Sequence, residues 1–160
     1  MIVVGVDPGS LSTGYGIIEV QDGSSKYIAC GSMRFSSKIP FYKRIHMIYR
    51  GMLGIIDRYR PQELAIEDVF YSKDIRGTLR LGQARGAVLI ACLECDIRIF
   101  EYTPLEIKKA LVGYGRATKE QVQSMVIKIL GLDSIDDLDA SDALAAAICH
   151  ANHKRFDELG

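Results

Sequence analysis

At 160 residues, 48% of them hydrophobic and 25% charged, the chain is long enough for one sizeable core and too short for two ordinary ones. That composition excludes a disordered, fibrous or disulfide-scaffold protein, and 20 Lys and Arg balance 20 Asp and Glu, so global charge announces no polyanionic partner. Apolar runs such as Ala87 to Leu93 fall far short of the roughly 20 residues a membrane helix needs, so no membrane association is expected.

In chain order, Ile2 to Asp7 reads as a continuous apolar strand stopped by Pro8 and Gly9. It carries no basic leader or small-residue cleavage site, so a cytoplasmic address is expected. The cysteines at 30, 92, 95 and 149 are then expected to be reduced thiols. Gly14 to Val20 is a second strand, residues 21 to 25 turn the chain, and Lys26 to Phe35 is a third, an antiparallel meander. Pro40 opens a helix whose Phe41, Ile45, Ile48, Met52, Ile55 and Tyr59 recur at helical spacing, and Pro61 ends it.

Leu64 to Phe70 reads as a strand, about Asp74 to Glu94 as a helix and Ile97 to Tyr102 as a strand, an alternation that implies a parallel half-sheet. Cys92 and Cys95 lie in that apolar helix without a second Cys or His pair at zinc spacing, so buried thiols are expected there. Thr103 with Glu106 and Thr118 with Gln121 are capping boxes, the first with Pro104 at its opening, and Gly131 stops the second helix. A last helix runs from near Asp137 through an alanine-rich stretch to about His153, where His150 and His153 are expected to form an exposed pair at the helix end.

Charge is unevenly distributed. Residues 26 to 60 hold eight Lys and Arg against Asp57, and residues 73 to 119 hold nine against five acids. The acids gather in the segments that contain Asp7, Glu67, Asp139 and Asp142. An anionic pocket framed by basic surface suits a metal-dependent enzyme acting on a phosphodiester polymer; an ordinary solvated mixture of charges would read the same way in one dimension.

Placed on their elements, Asp7 ends the first strand and Glu67 lies on the fourth, side by side if those strands are parallel neighbours in mid-sheet. Asp139 and Asp142 are three apart and share one face of the last helix. Four adjacent carboxylates raise one another's pKa and resist burial, a conflict that divalent cations remove. Two magnesium ions about 3.5 to 4 Å apart suit an in-line displacement at phosphorus, and hard cations prefer oxygen donors. Asp7 is the firmest member, because an acid closing an apolar strand carries a desolvation cost. Asp139 could equally serve the helix dipole.

Seven motifs in order carry a family resemblance: Asp7-Pro-Gly-Ser with Gly14-Tyr-Gly16 behind it, Ile66-Glu67-Asp-Val-Phe70, Leu81-Gly-Gln-Ala-Arg-Gly86, Phe100-Glu-Tyr102, Val112-Gly-Tyr-Gly115, Lys119-Glu-Gln-Val122, and Asp139-Ala-Ser-Asp142-Ala-Leu-Ala. Together they resemble the RuvC family, the bacterial Holliday junction resolvases, along essentially the whole chain. The resemblance implies a single nuclease domain over residues 1–160 with an α/β, RNase H-like fold. Its five-stranded mixed sheet would run in the order 3-2-1-4-5, flanked by helices.

It also implies a homodimer that nicks opposing strands of a four-way DNA junction symmetrically, alongside the RuvA and RuvB branch-migration proteins. By the same resemblance Asp7, Glu67, Asp139 and Asp142 are metal-binding catalytic acids for Mg²⁺, with Mn²⁺ able to substitute. Lys108, Lys119 and Arg76 become DNA contacts, and Phe70 a residue that meets bases at the junction centre. Lys109 could serve in place of Lys108, Tyr71 in place of Phe70, and a core aromatic is the plainer reading of Phe70.

Small residues around Gly82 and Gly86 leave a flat helix face that suits either tight packing on the sheet or a dimer contact. Asp68 and Asp74 depart from the family's usual Gln and Asn and add negative charge near the expected DNA face. Two rival classes remain. A sugar-kinase or actin-like ATPase shares Asp7 and the glycines behind it, but needs a second phosphate loop and about twice the chain. A junction-binding protein without catalysis is disfavoured because no carboxylate is replaced.

Overall fold

The structure is a computed structural model that describes residues 1–68 and 72–159, with side chains described through residue 155. Ten elements follow one another: β1 (Ile2–Asp7), β2 (Ser12–Gln21), β3 (Ser24–Arg34), α1 (Phe41–Tyr59), β4 (Glu63–Glu67), α2 (Ile75–Glu94), β5 (Arg98–Tyr102), α3 (Pro104–Val112), α4 (Lys119–Leu130) and α5 (Leu138–Leu159). The sheet runs β3-β2-β1-β4-β5, the expected order. β1, β2 and β3 pair antiparallel, while β4 lies parallel to both β1 and β5. The β2–β3 turn is tighter than expected: Asp22 and Gly23 both take positive φ, 49° and 73°, as a two-residue hairpin of matching twist requires.

Alternation along the central strands sends side chains to two cores. Val4, Val6, Leu64 and Ile66 face α1 and α2, where Ile48, Met52, Ile55, Ile56, Val88 and Cys92 meet them. Val3 and Ala65 face the other layer, in which Leu144, Ile148 and the alanines of α5 pack with residues of α3 and α4. The expected stripe on α1 needs one correction: Arg44 is buried, whereas Phe41, Ile45 and Tyr59 are only partly so. The Arg44 guanidinium donates to the Ser10 carbonyl at 2.9 Å and to the Ile39 carbonyl at 3.2 Å, and it lies 5.4 Å from the centre of the Phe41 ring. One of the cations counted as basic surface is thus a brace for the loop that follows β1.

Both capping boxes form. Thr103 and Glu106 close the start of α3, Thr118 and Gln121 that of α4, and Gly131 ends α4 with φ of 63°. Asp74 accepts from the Gly77 N–H at 2.9 Å, so this departure from the family pattern serves as the N-cap of α2. β4 stops at Glu67 rather than running to Phe70; Phe70 and Tyr71 lie outside the described residues. Burial pushes the Cys92 thiol up to about 12, with Cys95 adding to it, but Cys95 itself is exposed just past the helix end, against the expectation of two buried thiols.

The position of α5 rests on glycine. A Cβ at Gly5 would overlap the Ala143 carbonyl, and one at Gly14 would overlap the backbone of Asp139 and Ala140. Bare backbone in β1 and β2 therefore lets the helix lie directly on the sheet, with Ala143 and Ala147 against Gly5 and Leu144 over Gly16. Gly14→Ala is expected to force the helix outward at a cost of about 1–3 kcal/mol, lowering the melting temperature by about 2–4 °C per kcal/mol. Gly54→Ala, in mid-helix where nothing lies within 4 Å of the new carbon, is expected to raise it. Thermal melts of the two variants check the contrast, and an unchanged melt for Gly14→Ala would contradict the close contact.

Candidate active site

Asp7 closes β1, and the β1–β4 register, whose last pair is Val6 with Ile66, brings Glu67 beside it at the end of β4. Asp139 and Asp142 stand in the first turns of α5. The start of that helix is tied down twice. Asp137 accepts from the N–H groups of Asp139 at 3.1 Å and Ala140 at 3.2 Å, and its other oxygen accepts from the Ser32 hydroxyl of β3 at 2.5 Å.

Asp7, Glu67 and Asp142 line one cavity of about 110 Å³, with Lys108 and Lys119 on its rim and Ile107 and Val122 in its walls. Lys109 is exposed and does not line it. Asp139 lies apart from that cavity and accepts from the Ser12 hydroxyl at 2.5 Å. A second cleft, about 210 Å³, opens on the other side of Asp7 and Glu67 and contains Asp68 and Arg85. Arg85 is paired with Glu101, with Asp68 at 3.9 Å. Arg76 is exposed on the first turn of α2 and lines neither space. Ser12, Asp137 and Arg85 are positions that sequence reasoning missed; Ser12 and Arg85 act through partners distant in the chain, whereas Asp137 also caps its own helix, a local signal that could have found it.

The electrostatics are those of crowded acids. Burial, then Asp142, Glu67 and Asp139, raise Asp7 from 3.8 to about 7, with Lys119 opposing. Burial and then Asp142 raise Glu67. Burial raises Asp142 too, with Lys119 opposing and Asp139 adding. Among the described residues, no three His, Cys, Asp or Glu side chains stand close enough together to grip one ion as they lie. The donor chemistry nonetheless fits hard divalent cations: carboxylate oxygens only, their pKa values raised by burial and by one another, with Lys108 and Lys119 beside them.

A mixed 3-2-1-4-5 sheet flanked by helices, with acids at the adjoining ends of two parallel strands, defines a protein of the RNase H-like class. Residues 3–150 match the family model of crossover junction endodeoxyribonuclease RuvC. The enzyme of that name from Geobacter sulfurreducens is 47% identical over 95% of this chain and 93% of its own. The solved Thermus thermophilus RuvC superposes with a TM-score of 0.90 at 33% identity, covering 98% of this chain and 97% of that one. The same Thermus protein in complex with Holliday junction substrate gives 0.92, with 98% and 96% covered. The chain belongs to the RuvC family.

A carboxyl whose pKa is higher in the folded than in the unfolded chain stabilises the fold only while protonated. Stability from Asp7 therefore falls as pH climbs from 3.8 through about 7. Without metal, the Asp7→Asn protein is expected to melt several degrees above the parent near pH 8 and by clearly less near pH 5, where the folded Asp7 carboxyl still keeps its proton. Melting curves in chelator at the two pH values check this; equal melting at both would mean that neither burial nor the neighbouring acids disfavour the Asp7 carboxylate.

Proposed function

We propose that this chain resolves four-way DNA junctions by hydrolysing one phosphodiester bond in each of two opposing strands, as a homodimer. The observation that carries the reading is the cavity where Asp7, Glu67 and Asp142 meet Lys108 and Lys119, in a chain of the RuvC family. Asp7, Glu67, Asp139 and Asp142 are the residues that hold two Mg²⁺ ions, with Mn²⁺ an acceptable substitute. When bound, such ions activate a water and stabilise the leaving oxygen of an in-line displacement.

The protein's own part is positional and electrostatic. Asp7 and Glu67 come from the rigid sheet, so the distance between them is fixed by strand pairing. Asp142 approaches from the helix, and Asp139 is oriented by Ser12. Lys108 and Lys119 attract and hold the strand to be cut, because a phosphate that neutralises them releases its counterions. Arg76, which does not line the cavity, and Phe70 are assigned to the junction on family grounds.

The dimer is assigned to α2. Ile75, Leu79, Ile90 and Leu93 are 55–63% exposed along one side of that helix, and Gly82 and Gly86 between them face open space. An apolar stripe at coiled-coil spacing with a flat middle suits close approach by the same helix of a second copy. Two sites related by a two-fold axis match a substrate whose cut strands are themselves symmetry-related. Among the described residues no helix is long and apolar enough to cross a membrane, and we place the enzyme in the cytoplasm, acting after RuvA and RuvB have moved the junction.

A plasmid bearing a cruciform tests the reading directly. With Mg²⁺ the protein is expected to linearise it, the product of paired nicks, and Asp7→Asn is expected to abolish cleavage while leaving junction binding within about twofold in a gel-shift assay. Nicked circles alone would refute paired cutting; loss of binding together with cleavage would refute the division between metal-holding acids and DNA-holding bases.

A further inference from the structure

One buried polar network lies outside the cavity and plays no part in the chemistry assigned to it. Glu63, on β4, is 0% exposed, and His150, on α5, is 1% exposed. The earlier expectation of an exposed histidine pair is therefore wrong for His150, although His153 is exposed. His150 Nε2 lies 2.5 Å from Glu63 Oε2, and His150 Nδ1 lies 2.6 Å from the Tyr102 hydroxyl of β5. The other Glu63 oxygen takes Lys154 Nζ at 3.0 Å and Arg98 at 2.5 Å. Phe100 packs on the imidazole, ring centres 4.4 Å apart.

These contacts select one protonation pattern. Burial pushes Glu63 upward, but the hydrogen bonds from His150 and Lys154 outweigh it and hold the carboxyl below its ordinary value. Burial holds His150 below its own, against the pull of Glu63. Glu63 is thus the anion and His150 the neutral ring. Its Nε2–H donates to Glu63 and its Nδ1 accepts from Tyr102, so every polar atom of the ring has a partner. A buried carboxylate so completely satisfied fixes the elements that supply its donors.

Those elements are the ones that carry the acids. Glu63 and Glu67 share a face of β4 four residues apart, about 13 Å along the strand. Asp142 and His150 are eight apart on α5, about 12 Å along the helix. The helix and strand are therefore joined by two rungs of matched spacing. The rung at the cavity, Glu67 with Asp142, is repulsive; the rung behind it, Glu63 with His150, is attractive. We propose that Glu63, His150 and Tyr102 are positioning residues, which hold α5 in register on β4 and β5 so that Asp142 and Glu67 stay together for divalent cations despite their mutual repulsion.

The inference rests on the four-acid reading of the cavity, so the test includes a control for that reading. Mn²⁺ binding is followed through the EPR signal of the free ion for the parent, for Asp142→Asn, and for the double variant Glu63→Leu with His150→Leu. Apolar residues of similar size often replace a buried charged network without loss of stability, and Lys154 and Arg98, the cationic partners of Glu63, can turn to water. A merely structural network would then leave Mn²⁺ binding unchanged once the melting temperature is restored.

Positioning instead calls for Mn²⁺ affinity about tenfold weaker in the double variant, with a parallel rise in the Mg²⁺ concentration for half-maximal cleavage. Parent-like affinity in the folded double variant overturns the proposal. Should that variant not fold, Tyr102→Phe, which loses only a hydroxyl, decides the matter: a severalfold weaker affinity supports positioning and an unchanged one overturns it. If Asp142→Asn binds Mn²⁺ like the parent, the four-acid reading itself has failed and the inference falls with it. If Asp142→Asn alone loses Mn²⁺, the fault lies with the positioning role.

Discussion

The approach of α5 to bare backbone is the constraint on which the rest depends. Gly5 and Gly14 leave no side chain between sheet and helix, and the helix answers with alanines. A single Cβ in either place would push the helix away and carry Asp139 and Asp142 with it. The carboxylates reach one another because the packing is this close. Burial of small side chains is weak per residue, so the interface stabilises through number and density of contacts rather than through any large anchor.

That closeness creates its own electrostatic problem, and the surrounding residues limit it. Asp137 pins the first turn of α5 to β3 through Ser32, and Ser12 reaches Asp139 from β2. Arg44, buried under the loop after β1, holds the Ser10 carbonyl and so the path of the chain immediately beyond Asp7. Lys119 lowers what burial and neighbouring acids raise at Asp7, Glu67 and Asp142. The cavity is a place where negative charge is held together at a cost, the condition under which a divalent cation binds favourably. Family membership and this electrostatic arrangement support the same chemistry from independent directions.

The element order could be read from the sequence because its signals are local. Proline at the ends of α1, the two capping boxes, the Asp22-Gly23 turn and the period of the apolar residues each specify backbone geometry within a few positions. The sheet order came from the family motifs and is what the structure has; the reading of the acids as metal ligands came first from their placement on the elements and then from the motifs. What could not be read depends on partners distant in the chain. His150 looks like a helix-end histidine until Glu63, 87 positions earlier, is packed against it. Arg44 counts as surface charge until the loop it braces is in place. Lys108 and Lys109 are indistinguishable until the phase of α3 is set. Asp139, paired with Asp142 by spacing, proves to be turned toward Ser12 outside the cavity its neighbour lines.

The central claim is that Asp7, Glu67, Asp139 and Asp142 together hold divalent cations, and crystals grown with Mn²⁺ test it most directly. Anomalous scattering measured near the manganese edge is expected to give two peaks within coordination distance of these four carboxylates. Manganese bound elsewhere, with these acids left to water and lysine, would contradict the account.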